Sequence, residues 1–586
     1  MRKNALKFLV LTLLGIMIYS CQNENDLITQ VEEPINLNEQ DGLKKMILGK
    51  KLENPYSVEN MKKALNNLKQ SKSFAKRKGT SDNLEITTTH LYIRFKPVNE
   101  EELNLIERDT TLILFDHPMD YEISEEGDFY QDPEIPDESP TYQYTSVEVD
   151  KELPNVPYEI LANLYIPYDE NEDNDIEDED TFSKSTTQLN EKNILDVLEE
   201  EALRITGNLE KEESTTTLQR CWFCRPSKWQ PKGKITMWET TLGRYVGVEG
   251  VKVRAGRWFK WRTAITKADG SYAFAARFRR SVRYKMDWER YDFALRSGFW
   301  ASAQYRGPYK KGDWNWQIGD GDRHQYYGTI FQAAYDFYYG NRFGLKSPKR
   351  NSFWKSKLRI RAIRESGVSS HHNGRSWAGL ISEIYVRAYN TNAGSAKSAI
   401  FYGVAIHELA HSSHRELDKE DYRKLVWKGY LDPGTWGHTP VHLTQKARSA
   451  RRLMETWAKT IELKFLYHRY QNKYNKSDYG YSNSSYNYNY SYIKDSRRGI
   501  TNSGNNPHLI YTSAGIDMID DENQRADTRG NINYTQDRVK GYTINQLENA
   551  MINATSWNEW KENIKSKYPS NPTRIYLDEL FANWNN

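Results

Sequence analysis

At 586 residues the chain is too long for a single hydrophobic core, so several domains of roughly 100–200 residues each are expected. Hydrophobic residues make up 38% and aromatic residues 13%, with 40 Tyr and 17 Trp, a composition that excludes a disordered chain. The formal net charge of +3 conceals an uneven distribution: residues 101–200 carry 31 acidic against 4 basic side chains, whereas residues 221–311 carry 21 basic against 6 acidic. Two segments of opposite sign in one chain are expected to neutralise each other and so relieve the self-repulsion of each.

The first residues read as an address. Arg2, Lys3 and Lys7 precede an apolar run from Phe8 to Tyr19, which is too short to span a bilayer, and then Ser20-Cys21. The segment Ile18-Tyr19-Ser20-Cys21 resembles a bacterial lipobox. That resemblance implies a signal peptide over residues 1–20, acylation of Cys21, and a mature protein tethered to a membrane through its lipid. Gln22 in place of Asp favours, by analogy, an outer-membrane or cell-surface location after export. Export argues against nucleic acid as a partner of the basic segment. The other cysteines are Cys221 and Cys224, which cannot complete a tetrahedral zinc site by themselves and suit a local disulfide in an oxidising compartment.

Residues 21–83 are polar and lysine-rich and read as a flexible spacer containing one short helix around Val58 to Leu68. Over 84–168 an acidic α+β domain is expected, with strands at Thr89 to Phe95 and Thr111 to Phe115 and a helix at Glu100 to Glu107 between them. It resembles an N-terminal segment of other bacterial surface lipoproteins. Residues 169–231 read as a linker holding the acidic run Asp169 to Asp180 and the cysteine pair. Over 232–300 the pattern changes to short strands, at Lys234 to Glu239, Val251 to Gly256, Thr263 to Thr266 and Tyr272 to Arg277, with a turn at Lys267-Ala268-Asp269-Gly270. The run Gly247 to Val253 followed by Asp269-Gly270-Ser271-Tyr272 resembles the carboxypeptidase regulatory-like β-sandwich, which implies a spacer or binding module. From residue 320 to 586 helical periodicity dominates, at His324 to Tyr339, Ser398 to Leu417 and Lys446 to Tyr470, with a strand at Leu380 to Tyr389. Tyr474 to Tyr492, a Tyr, Asn and Ser tract, reads as a surface loop.

Chemistry concentrates in His407-Glu408-Leu409-Ala410-His411. Two histidines four apart on a helix lie on one face, about 6 Å apart along the axis, so their imidazoles can converge on one ion. Glu408 is turned by about 100° from His407 and reaches a water on that ion as a general base without being a ligand. Apolar Ile400, Phe401, Val404 and Ile406 place the helix in a core, where such groups need a compensating partner.

These residues resemble the zincin superfamily of zinc metallopeptidases. The resemblance implies Zn2+, a protein or glycoprotein substrate, and a third ligand that decides the branch. Metzincins carry Gly and His three and six residues after the second histidine, where this chain has His414 and Leu417. In gluzincins the third ligand is a glutamate of a later helix. Glu455, in Met454-Glu455-Thr456-Trp457-Ala458, is the preferred candidate, and Glu462 two turns on is the other. Met454 and Lys459 stand where the thermolysin-like pattern has Asn and Asp. His414 is too far along the axis to bind the same ion, and His371, His372, His438 and His442 lie in loop-like sequence. His508 and Tyr511 are candidates for stabilising an oxyanion.

The expectation is thus a multidomain α+β protein with an N-terminal α+β domain, a small β-sandwich and a mainly α-helical zincin-type C-terminal domain. Its expected function is zinc-dependent endopeptidase at the cell surface. The alternative is a non-catalytic adhesion or glycan-binding lipoprotein with a degenerate zincin domain.

Overall fold

The computed structural model describes residues 43–70, 84–136, 139–167, 186–209, 228–297, 300–352, 355–365, 384–389, 397–432, 443–476, 479, 500–501, 504–505, 510–521, 523–527 and 535–584. Cys21, the acidic run to Asp180, Cys221, Cys224, His371, His372, His438, His442, His508 and most of the tyrosine-rich tract lie outside them. The fold is mixed α/β with several separate sheets. No helix among the described residues is long and apolar enough to cross a membrane.

The N-terminal unit is built on an antiparallel sheet in the order β4 (Gln143–Glu148), β2 (His90–Phe95), β5 (Tyr158–Leu164), beside a two-stranded pair of β1 (Ile47–Lys51) and β3 (Tyr121–Glu125). Helix α1 (Val58–Gln70) buries Met61, Ala64, Leu65 and Leu68, spaced for one helical face, against Tyr92, Tyr144 and Leu164. Helix α2 (Glu100–Arg108) starts at Asn99, whose side chain accepts from the Glu102 amide, and buries Leu103 and Ile106. Helix α3 (Thr186–Ile205) packs Ile194, Leu198 and Ala202, each four apart, into the core that α1 lines.

Three expectations are corrected here. Part of the stretch read as a flexible spacer is folded, because the apolar stripe of α1 finds its partner in strands far along the chain. Part of the stretch read as a linker is α3, whose acidic side chains are matched by distant cations. Thr111 to Phe115 is not a strand: it makes one bridge, Phe115 to Tyr144, and its apolar residues Leu112 and Phe115 anchor a loop.

Beyond residue 228 two sheets face each other. One has the order β10 (Ser271–Ala273), β6 (Lys232–Glu239), β14 (Trp314–Ile318), with β7 (Arg244–Gly247) also on β6. The other has the order β13 (Gln304–Lys310), β11 (Val282–Asp287), β8 (Lys252–Arg257), β9 (Lys260–Ile265). Alternate residues point inward, Val253 and Ala255 from β8 and Tyr284 and Met286 from β11. The Lys267–Gly270 turn carries the chain from one sheet to the other, with Gly270 at φ +85° and its amide donating to Lys267 O at 2.8 Å. Strand Tyr272 to Arg277 is shorter than expected. Strands β13 and β14, past the expected boundary at residue 300, complete both sheets.

The opposite charges of the two segments meet. Asp196, Glu199 and Glu200 of α3 pair with Arg279, Lys260 and Arg280 at 2.9, 3.2 and 3.2 Å. Glu126 and Asp128 pair with Arg306 and Arg323 at 3.0 and 3.1 Å. Deepest of all, Glu107 accepts from Arg296 at 2.6 Å and Arg359 at 3.0 Å, two guanidiniums that are 2% and 4% exposed. The β8–β9 tip adds an apolar plug, with Phe259 buried against Tyr92 at 4.8 Å between ring centroids.

The remaining elements share one continuous core with the two facing sheets. Strand β12 (Phe293–Arg296) pairs in parallel with β15 (Leu358–Glu365), and β15 with β16 (Ile384–Tyr389). Strand β15, whose arginines interrupt its apolar pattern, was not foreseen from the sequence. Helix α4 (Arg323–Tyr339) is capped by Asp322, and α5 (Ser398–Leu417) packs on both α4 and β16. After α6 (Lys419–Val426) and a π-helical turn (Trp427–Leu431), α7 (Gln445–Leu466) lies along α5.

Replacing Glu107 with Gln takes the paired carboxylate from buried Arg296, while Arg359 keeps Glu100 at 2.7 Å, and should cost about 3–5 kcal/mol of stability, measured by thermal or urea unfolding at pH 7. Burial opposes ionisation of Glu107, but Arg296 and Arg359 hold its pKa down at about 2, below the ordinary 4.5. A depressed carboxylate stabilises above its unfolded pKa and loses that contribution as pH falls towards the folded value. The gap between wild type and Glu107→Gln should therefore narrow from pH 4.5 towards pH 2. Equal melting of the two proteins at pH 7 would show that the pairing contributes nothing.

Candidate metal centre

Helix α5 begins at Lys397, which offers no side-chain cap. Its first amides are satisfied from outside the helix: Ser398 N donates to Thr240 Oγ1 at 2.6 Å and Ala399 N to Thr241 Oγ1 at 3.0 Å. The helix is thereby fixed to the loop after β6. Buried Tyr402, Ala405, Ile406, Leu409 and Ala410 seat it in the core. His407 and His411, one turn apart, bring their rings to 4.9 Å between centroids.

Helix α7 supplies the acids. Thr444 caps it, accepting from the Ala447 amide, and Glu455 and Glu462 stand two turns apart on the side that meets α5. Glu455 Oε2 lies 3.2 Å from His407 Nε2 and 3.6 Å from His411 Nε2. Glu462 Oε2 lies 3.2 Å from the other ring nitrogen of His407, Nδ1, and 2.5 Å from Lys459 Nζ. Among the described residues, His407, His411 and Glu455 are the one group of His, Cys, Asp or Glu whose donor atoms all lie within 4.8 Å of one another, and all three are buried.

Gly403, one turn before His407, faces α7 side chains at close range. A Cβ there would sit 3.1 Å from Leu466 Cδ1 and 3.2 Å from Glu462 Oε1. A larger residue would make the Leu466 and Glu462 side chains of α7 shift.

Electrostatics follow from burial and proximity. Burial works against ionisation of Glu455, but His411 and His407 hold its pKa well below the usual carboxylate value. Burial likewise opposes ionisation of Glu462, while Lys459 and His407 hold it at about 2. Glu408 is 1% exposed, and burial raises its pKa despite the opposing pull of His411 and His407. Tyr430, from the π-helical turn, donates to Glu455 Oε1 at 2.5 Å, and Arg451 lies 4.3 Å over the Tyr430 ring. One carboxylate oxygen of Glu455 is thus held by Tyr430 while the other faces the histidines.

The remaining candidates fall differently. Tyr511 lies beside the group, its ring centroid 6.1 Å from that of His407. Its segment is tied to α7 where Thr512 N donates to Thr456 Oγ1 at 3.2 Å, one residue after Glu455. Helix α8 (Ala514–Asp517) follows, and a Cβ on Gly515 would come to 2.0 Å from Thr460 Oγ1, so glycine is required for that contact. His414 is buried away from the group, edge-on to Tyr422 at 5.0 Å, and burial pushes its pKa down to about 3. Tyr430 was not singled out in the sequence, since nothing marks one tyrosine among 40. Lys459 was noted there only as a departure from a pattern, although its i, i+3 spacing from Glu462 was a readable signal.

The roles of the two glutamates are separable by metal titration of variants. Glu455→Ala should abolish zinc binding measurable by competition with a chromogenic chelator. Glu462→Ala should keep the site but weaken it about 10- to 100-fold, since it orients a ligand from behind. A reversed pattern would exchange the two assignments. No protein-family model matches the chain, and no curated protein is similar to it, so the functional reading rests on this geometry.

Proposed function

We propose that the chain is a zinc-dependent endopeptidase, exported and lipid-anchored at the cell surface, that hydrolyses peptide bonds of extracellular proteins or glycoproteins. The observation that carries this reading is the convergence of two imidazoles and one carboxylate on a buried point, with Glu408 next to the first histidine. Two nitrogens and one carboxylate oxygen suit Zn2+ better than Ca2+ or Mg2+, which prefer all-oxygen sets, and three protein ligands leave one position open.

Zinc held by His407, His411 and Glu455 would lower the pKa of a coordinated water to about 7 and polarise a substrate carbonyl. Glu408 would accept the proton of the attacking water and return it to the departing amine. Glu462 would keep the His407 proton on Nδ1, so that Nε2 presents its lone pair towards Glu455 and His411. Tyr430 would fix the rotamer of Glu455. Tyr511, beside His407, is the described candidate to donate to the developing oxyanion. The lipobox-like segment at Cys21 supports the location.

Purified protein should hold about one zinc per chain and digest casein, with activity lost on chelation and restored by Zn2+. Glu408→Gln should retain the metal and lose at least about a hundredfold in hydrolysis. Undiminished hydrolysis by that variant would reject the mechanism, and a chain that takes up no zinc would reject the site.

A further inference from the structure

A second candidate site lies away from α5 and α7. Between the N-terminal unit and the β13-β11-β8-β9 sheet runs a cleft of about 760 Å3, within the usual range for ligand sites and, like many of them, between two units. Its apolar surface includes six aromatic rings: Phe115, Tyr121 from β3, Trp258 and Trp261 from the β8–β9 hairpin, and Tyr305 and Tyr309 from β13.

The rings are held in place. Phe259, buried in the N-terminal core, pins the hairpin tip, Trp261 Nε1 donates to Trp258 O at 2.7 Å, and Trp258 sits at φ +50°, a conformation unusual for a bulky side chain. Tyr305 stacks on Trp316 with centroids 3.8 Å apart. Tyr309 is 41% exposed, with the Arg283 guanidinium 5.5 Å from its ring centroid. Preset rings of this kind lose little conformational freedom when a flat ligand covers them.

The polar groups on the same walls are mutually paired. Glu126 holds Arg306 at 3.0 Å and Arg283 at 3.6 Å, and Arg306 also reaches His117 Nε2 at 3.3 Å. His324 accepts from Trp288 Nε1 at 3.0 Å through Nδ1, so a neutral ring carries its proton on Nε2 as a donor. A carboxylate already neutralised by guanidiniums, as Glu126 is, makes no demand for a strongly charged ligand. Fixed aromatic faces beside planar donors and acceptors match a ligand with apolar C–H faces and a rim of hydroxyls.

We propose that this cleft binds a saccharide, independently of the metal centre. The test titrates the purified full chain in detergent with chitotriose, maltotriose and cellotriose, read by calorimetry and by tryptophan fluorescence. At least one should bind, and Tyr309→Ala and Trp258→Ala should each weaken it by about tenfold or more, with zinc content unchanged and, for Tyr309→Ala, melting temperature unchanged. Because Trp258→Ala also touches the hairpin, Tyr309→Ala decides if the former fails to fold. Glu408→Gln should bind the sugar as wild type does, which separates this site from the proposed hydrolysis. Absence of binding by all three saccharides at millimolar concentration, binding undiminished in Tyr309→Ala, or occupation of the cleft by casein peptides instead would overturn the assignment.

Discussion

The contact between α5 and α7 is the constraint on which the proposed chemistry depends. Where the helices meet, Glu455 and Glu462, two turns apart, reach opposite nitrogens of one imidazole, and Gly403 faces the Glu462 and Leu466 side chains. A carboxylate buried beside a histidine costs desolvation that only a close counter-charge or a cation offsets. Here the groups offset one another: Lys459 and His407 hold Glu462 ionised, the two histidines hold Glu455 ionised, and Tyr430 takes the second oxygen of Glu455. The core around them is rigid because α5 is fixed at both flanks, by α4 and β16 on one side and α7 on the other.

The N-terminal unit is joined to the rest by the same physics at larger scale. Its acids and the cations of the facing sheets form ion pairs across the junction, and the most buried, Glu107 with Arg296 and Arg359, connects α2 to the parallel sheet that supports α5. Surface pairs of this kind each contribute little. The buried group matters because removing Glu107 strands Arg296, and elsewhere on the junction Phe259 adds an apolar plug. The cleft proposed to bind saccharide exists because this docking is incomplete: the hairpin tip closes one end and leaves aromatic rings lining the gap.

Much of the local structure was legible in the sequence. The helix at Ser398–Leu417 follows from its apolar period, and the helical strip over Lys446 to Tyr470 appears as α7 continued by a π-helical segment (Tyr467–Lys473). Alternation in β8 follows from inward Val253 and Ala255, whereas β11 was not foreseen. Thr111 to Phe115 misled because β-branched and aromatic residues also anchor loops, and α3 was hidden because an acid-rich helix reads as a solvated linker unless its distant cations are known.

The sequence by itself determined which residues can carry the chemistry: the spacing of His407 and His411 is a property of one helix, and so is the angular offset of Glu408. It also determined that Glu455 and Glu462 share a helix face, with Glu455 preferred as the ligand. Only the tertiary structure decided that Glu455 meets the Nε2 atoms of both histidines while Glu462 meets Nδ1 of His407. The reason is that periodicity specifies direction about one helix axis, whereas the axial offset between two helices is set by the side chains packed between them. At this contact Gly403 meets the Glu462 and Leu466 side chains.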